Sequence, residues 1–178
     1  FLYFLYFWVI KTKSHDCNPY DFMKHIFFCI FFFPIFSCQD DIQSSSPTLQ
    51  GLRHGNEMWR STARSATVQS SGVLSISGSD GYASMNISLP NAMEGVYNLG
   101  DGAPATITYT EGNTTYSTQN NGQEYPVYLG DGQVTIESIN VENKTMRGTF
   151  YFNSYDDSGS KYMNFSEGVF FNLSYSEW

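Results

Sequence analysis

From Met58 onward apolar and polar residues alternate in short runs. Leu74 and Ile76 stand against Ser75 and Ser77, and Ala83, Met85, Ile87 and Leu89 against Ser84, Asn86 and Ser88. Successive side chains of a strand point to opposite faces, so this period of two reads as strands buried on one side. Gly78-Ser79-Asp80-Gly81 lies between the two runs and suits a tight turn, which predicts a hairpin. Ala105, Ile107 and Tyr109 form the next inward set; Glu111-Gly112-Asn113 turns the chain, and Asn120-Asn121-Gly122 ends the following run. Further inward sets are Val134 and Ile136, then Met146, Phe150 and Phe152, then Phe165, Val169, Phe171, Leu173 and Tyr175. No stretch of eleven or more residues carries apolar positions at helical spacing. The pattern predicts an all-β domain over residues 57–178, with eight or nine antiparallel strands, mostly hairpin-connected, in a β-sandwich or flattened barrel.

Upstream the character is different. Two apolar runs, 1–10 and 26–36, are separated by the polar stretch 11–21. Each is about half of the roughly 20 apolar residues that a membrane-crossing helix needs. The second has the order of a secretory signal: Met23, then Lys24 and His25 as a short positive region, eleven apolar residues, and the small Ser37. Residues 1–22 then read as an upstream translated extension and 23–37 as a signal peptide.

Ile35-Phe36-Ser37-Cys38 resembles the lipobox of bacterial lipoproteins, in which the cysteine becomes the first mature residue and is acylated. Ser37 meets the need for a small residue before the cut, while Phe36 departs from the stricter motif. Gln39-Asp40-Asp41 resembles the acidic export tag of surface-exposed Bacteroidetes lipoproteins. The resemblance implies lipidation at Cys38 and a protein anchored to the bacterial outer membrane through acyl chains. Each buried methylene of such a chain contributes about 0.8 kcal/mol, so more than one chain anchors firmly. Residues 39–56 are polar, include Pro47 and Gly51, and read as a flexible tether spanning roughly 20 to 25 Å.

Composition narrows the function classes. The chain carries a net charge of -8, and past residue 38 six bases face fifteen acids. Phosphate backbones are held by clustered Lys and Arg, so a nucleic-acid partner is not expected. All three cysteines, Cys17, Cys29 and Cys38, precede the β domain, which leaves it without a disulfide, a thiolate metal ligand or a cysteine nucleophile. No cofactor motif is present, and no metal site is expected. The repeated Leu-Gly-Asp-Gly at 99–102 and 129–132 suits turns with φ > 0 and lacks the spaced oxygen ligands of a calcium loop.

Catalytic residues are not assigned. His54 is the one histidine past the leader, and on a tether it would not be held as a general base must be. Glycoside hydrolysis needs two carboxylates about 5 to 9.5 Å apart, and Glu137, Glu167, Asp156 and Asp157 are the candidates. Each also has a plain structural reading: Glu137 faces outward on a strand, Glu167 precedes Gly168 in a bulge, and Asp156 and Asp157 sit in a loop.

Tyrosines are the richer feature. Tyr109, Tyr116, Tyr125, Tyr128, Tyr151, Tyr155 and Tyr162 are many for a core of this size, and their hydroxyl tips tolerate water. Most read as rings that stabilise the sheet across strands. Those left outside would suit a sugar face or a protein partner.

The segments 132–153 and 166–175, with Gly132, Val134, Ile136, Gly148-Thr149-Phe150, Phe152, Gly168 and Phe170, resemble an uncharacterised family of small Bacteroidetes, mainly flavobacterial, lipoproteins. Trp59, Ser71-Gly72-Val73-Leu74-Ser75-Ile76-Ser77-Gly78 and the turn read at Gly95-Val96-Tyr97-Asn98-Leu99-Gly100 share in the likeness. It implies no activity and no functional residues. The sequence therefore leads to a non-enzymatic surface lipoprotein that binds a glycan or protein partner or serves structurally. Alternatives are a carrier with a small apolar ligand inside a barrel, and a two-carboxylate hydrolase.

Overall fold

A computed structural model describes residues 46–123 and 127–178. The leader and Cys38 lie outside the described residues.

The described residues form eleven strands. The order along the chain is β1 (Thr48–Arg53), β2 (Glu57–Arg60), β3 (Ala63–Val68), β4 (Leu74–Ser79), β5 (Ala83–Leu89) and β6 (Gly95–Gly100). It continues with β7 (Thr106–Glu111), β8 (Thr114–Ser117), β9 (Asp131–Asn140), β10 (Thr145–Asp156) and β11 (Tyr162–Glu177). The fold is all-β, as the alternation predicts, with more strands than the eight or nine expected. Two of the additions correct the sequence reading: residues 48–53 are a strand of the sheet rather than tether, and residues 95–100, read as a turn, are β6, paired with β9. β1 pairs with β11, Thr48 opposite Phe171 and Arg53 opposite Phe165, and turns back on β2. Leu49 is fully buried there.

The sheet closes on itself. The spatial order is β2-β1-β11-β3-β4-β5-β7-β8-β10-β9-β6, with β11 also bonded to β10, so β11, β3, β4, β5, β7, β8 and β10 form a ring. Two long strands make this possible. β11 has sixteen residues and holds β10 along one edge, while β1 and then β3 follow one another along the other. β10 likewise holds β9 and then β8 along its second edge. The β11–β3 pairing is parallel and the other ladders are antiparallel. The product is a flattened barrel with strands laid on its flanks.

Inward-facing side chains fill the barrel. Leu74, Ile76, Met85, Ile87, Leu89 and Ile107 come from one wall, and Val134, Phe150, Phe152, Phe165 and Phe170 from the other. Fully burying a side chain of this size contributes about 1.5 to 3 kcal/mol each. Phe165 is the hub of an aromatic cluster: it stacks on Phe152 at 5.0 Å, meets Trp59 edge-on at 5.9 Å and leans on Tyr109 at 5.0 Å.

β11 departs from strict alternation. Val169 and Phe171, expected inside, are only half-buried, and Phe170 is fully buried. Glu167 (φ 49°) and Asn172 (φ 48°) each add one residue to β11 relative to β10, since Phe150 to Phe152 spans Gly168 to Phe165 and Met146 to Gly148 spans Leu173 to Phe170. Each bulge shifts the phase by one, so the inward set is Phe165, Phe170, Leu173 and Tyr175. The bulge expected at Glu167 is thus present, and a second follows it.

Candidate binding groove

The turn between β10 and β11 and the loop after β8 come together outside the barrel and enclose a groove. It is lined by Gly122, Gln123, Tyr128, Tyr155, Gly159, Ser160, Lys161 and Tyr162, with a volume of about 590 Å³. Tyr155 and Tyr162 oppose each other across the β10–β11 ladder, which places two rings at the same level. Tyr128 and Tyr162 are each more than half exposed, at 54% and 61%.

The walls are tied by their own backbone. Gly122 N–H donates to Tyr128 C=O at 2.7 Å and Gln123 N–H to Gly159 C=O at 3.2 Å. Gly159 N–H donates to Asp156 C=O at 2.9 Å. The Asn120 side-chain amide donates to Tyr155 C=O at 3.1 Å and to Asp157 Oδ1 at 3.2 Å, and Asn121 Oδ1 accepts from Gly130 N–H at 3.0 Å. Two glycines permit this closeness. A Cβ on Gly122 would lie 2.8 Å from the Tyr155 ring; one on Gly159, at φ 70°, would lie 2.5 Å from Asn121 C=O.

Asp156 is held by its own turn. The backbone N–H of Lys161 and the Ser158 hydroxyl donate to its carboxylate and hold its pKa below the ordinary value. Glu137 faces Arg147 near the start of β10, at 3.8 Å. Asp156 ends that strand nine residues on, which at about 3.3 Å per residue is roughly 30 Å away. Glu167 lies in its bulge on the outer sheet surface beside Gln133, Thr135 and Tyr151. The register therefore keeps Glu137 and Asp156 well beyond the separation that glycoside hydrolysis uses. Asp157 is engaged by Asn120.

His54 is not on a loose segment. It occupies the β1–β2 turn with φ 49°, donates its backbone N–H to Asn164 C=O, and meets the Tyr162 ring edge-on at 5.4 Å. It buttresses one ring of the groove.

At the same end of the barrel sits a polar cluster that alternation does not reveal. Arg53 Nη1 donates to Tyr109 Oη at 3.1 Å and pairs with Glu111, while Nη2 pairs with Glu57 at 2.9 Å. Burial disfavours the Arg53 charge, but Tyr109 and the two carboxylates outweigh it and its pKa is raised. Burial lifts the Tyr109 pKa to about 12 against the pull of Arg53. Burial also works against the Asp80 charge, but backbone N–H groups of Ala83 and Tyr82 in its turn hold the pKa down. Arg53 and Glu111 are far apart in sequence, and only barrel closure brings them together.

Of the tyrosines singled out in the sequence, Tyr109 and Tyr116 are core, Tyr151 is half exposed on β10, and Tyr128, Tyr155 and Tyr162 form the groove. Tyr125 lies outside the described residues. Gln123, Gly159 and Lys161 had no signal of their own in the sequence. The second Leu-Gly-Asp-Gly opens β9 instead of making a free turn. Among the described residues no group of three or more His, Cys, Asp or Glu is placed to hold a metal.

Fold and site define an all-β barrel domain with an external, ring-lined groove. The chain belongs to a family described as a domain of unknown function, DUF6252, which it matches over residues 45–174. The match begins just before β1, in agreement with a domain that includes it. No curated protein and no solved structure matches the chain.

Proposed function

We propose that this protein is a non-enzymatic surface lipoprotein, held to the bacterial outer membrane by acyl chains on Cys38, whose β barrel binds a ligand in the Tyr128-Tyr155-Tyr162 groove. The observation that carries the binding role is the groove: Tyr128, on the loop after β8, gathered with Tyr155 and Tyr162 at the ends of β10 and β11, where loop and turn are fixed by mutual hydrogen bonds. A surface set in advance loses little entropy when it is occupied. The filled interior favours this reading over a carrier, since the inward side chains occupy the space a ligand would need. The separation of Glu137 from Asp156 counts against that pair of carboxylates as a hydrolytic site.

The anchoring rests on the Ser37-Cys38 motif after eleven apolar residues. Cys38→Ser is expected to abolish metabolic acyl labelling and to release the protein from the membrane; labelling that persists in this variant refutes the anchor. For the binding role, the full chain is screened against mixed glycan and peptide panels. Any ligand found is expected to be lost in the Tyr128→Ala/Tyr162→Ala double variant, and binding indifferent to both changes places the function elsewhere.

A further inference from the structure

We infer that the groove takes a neutral carbohydrate chain, an assignment that rests on the groove being the binding surface. Three observations lead there.

The first is the kind of contact on offer. Tyrosine presents a flat apolar face and a hydroxyl at its edge, which matches a ligand that itself alternates apolar C–H faces with hydroxyl groups. Tyr128, Tyr155 and Tyr162 supply the faces, and Gln123 and Ser160 add a side-chain amide and a hydroxyl.

The second is that the walls have little backbone to give. An extended peptide docking by strand addition needs a row of unpaired N–H and C=O groups. Here the N–H groups of Gly122, Gln123, Gly159 and Lys161 are already donated within the walls, and that of Ser160 goes to the Ser158 hydroxyl at 3.3 Å. Recognition is left to side chains, which suits a sugar better than a peptide main chain.

The third is charge. Among the described residues of the lining Lys161 is the one that carries a charge, and its Nζ reaches toward Thr114 Oγ1 at 3.5 Å. Asp156 and Asp157 flank it in the same turn, and past residue 38 fifteen acids outweigh six bases. A polyanionic sugar would approach a domain of its own sign, which slows and weakens its binding at low salt. A neutral chain meets no such barrier, and Lys161 remains a donor to a hydroxyl.

The test uses the full-length chain, titrated with neutral oligosaccharides (β-1,4-glucan, xylan and mannan hexamers) and with hexagalacturonate, followed by tyrosine fluorescence and calorimetry. At least one neutral hexamer is expected to bind, with affinity falling tenfold or more in Tyr162→Ala and in Tyr128→Ala. Lys161→Gln and added salt should each change it less than threefold. Far-ultraviolet circular dichroism of each variant separates lost binding from lost fold. Binding of hexagalacturonate alone, abolished by Lys161→Gln or by salt, overturns neutrality while leaving a sugar-binding groove. A peptide that binds and depends on Tyr128 and Tyr162 overturns the carbohydrate assignment while leaving the groove as the binding surface. No ligand from either class overturns both.

Discussion

Two glycines and two phenylalanines lock the long strands together. Gly148 faces Phe170 and Phe150 faces Gly168 in the β10–β11 register, so each ring lies over the glycine of the partner strand. A Cβ on Gly148 would come within 2.0 Å of Thr135 C=O and 2.4 Å of the Phe170 ring. Gly148→Ala is therefore expected to cost about 1 to 3 kcal/mol by overpacking, read as a lower urea midpoint at unchanged slope. Gly148, Phe150, Gly168 and Phe170 are among the residues that carry the family likeness in the sequence, yet their pairing was hidden there. Tyr109 offers a second test at this scale. Its pKa is raised from 10 to about 12, so the folded state favours the neutral phenol. The stability this gives is complete below pH 10 and is lost as pH rises from 10 to about 12. Denaturation midpoints should fall across that window, and less so in Tyr109→Phe; an identical fall in both would disprove the assignment.

At the level of elements, legibility followed the size of the inward side chains. β4, β5 and β7 show clean alternation because large aliphatic residues alternate with Ser, Thr or Asn, and their burial matches that pattern. β1 reads Thr-Leu-Gln-Gly-Leu-Arg, with Gly51 inside a short strand and no large β-branched residue. Such a segment has little strand preference of its own, and tertiary pairing with β11 decides it. β3, Ala-Arg-Ser-Ala-Thr-Val, was obscure because its one buried inward residue is the small Ala66. The consequence can be measured. A chain begun at Glu57, as the tether reading would allow, loses Leu49 from the core and Arg53 from its pairs with Glu57 and Glu111. It is expected not to unfold cooperatively, whereas a chain begun at residue 45 should. Equal melting of the two would show that β1 is dispensable.

For the whole molecule, the sequence carried the all-β class and most of the core, since both follow from local alternation. It did not carry the groove. Tyr128, Tyr155 and Tyr162 were visible as an excess of rings, but their gathering depends on loop 118–123 lying against turn 157–161, which Gly122, Gly159 and two Asn120 contacts make possible. The Arg53 cluster is equally a product of closure, as its partners come from β1, β2 and β7.

β11 touches two strands far back along the chain: Phe171 meets Thr48, and Tyr175 to Glu177 complete the ring with Ala66 to Val68. Contacts this distant along the chain are slow to form. A polypeptide on which β11 has not yet been made lacks the sixteen residues that pair with both β1 and β3. The ring stays open until that strand is in place, so closure of the barrel waits on a single element.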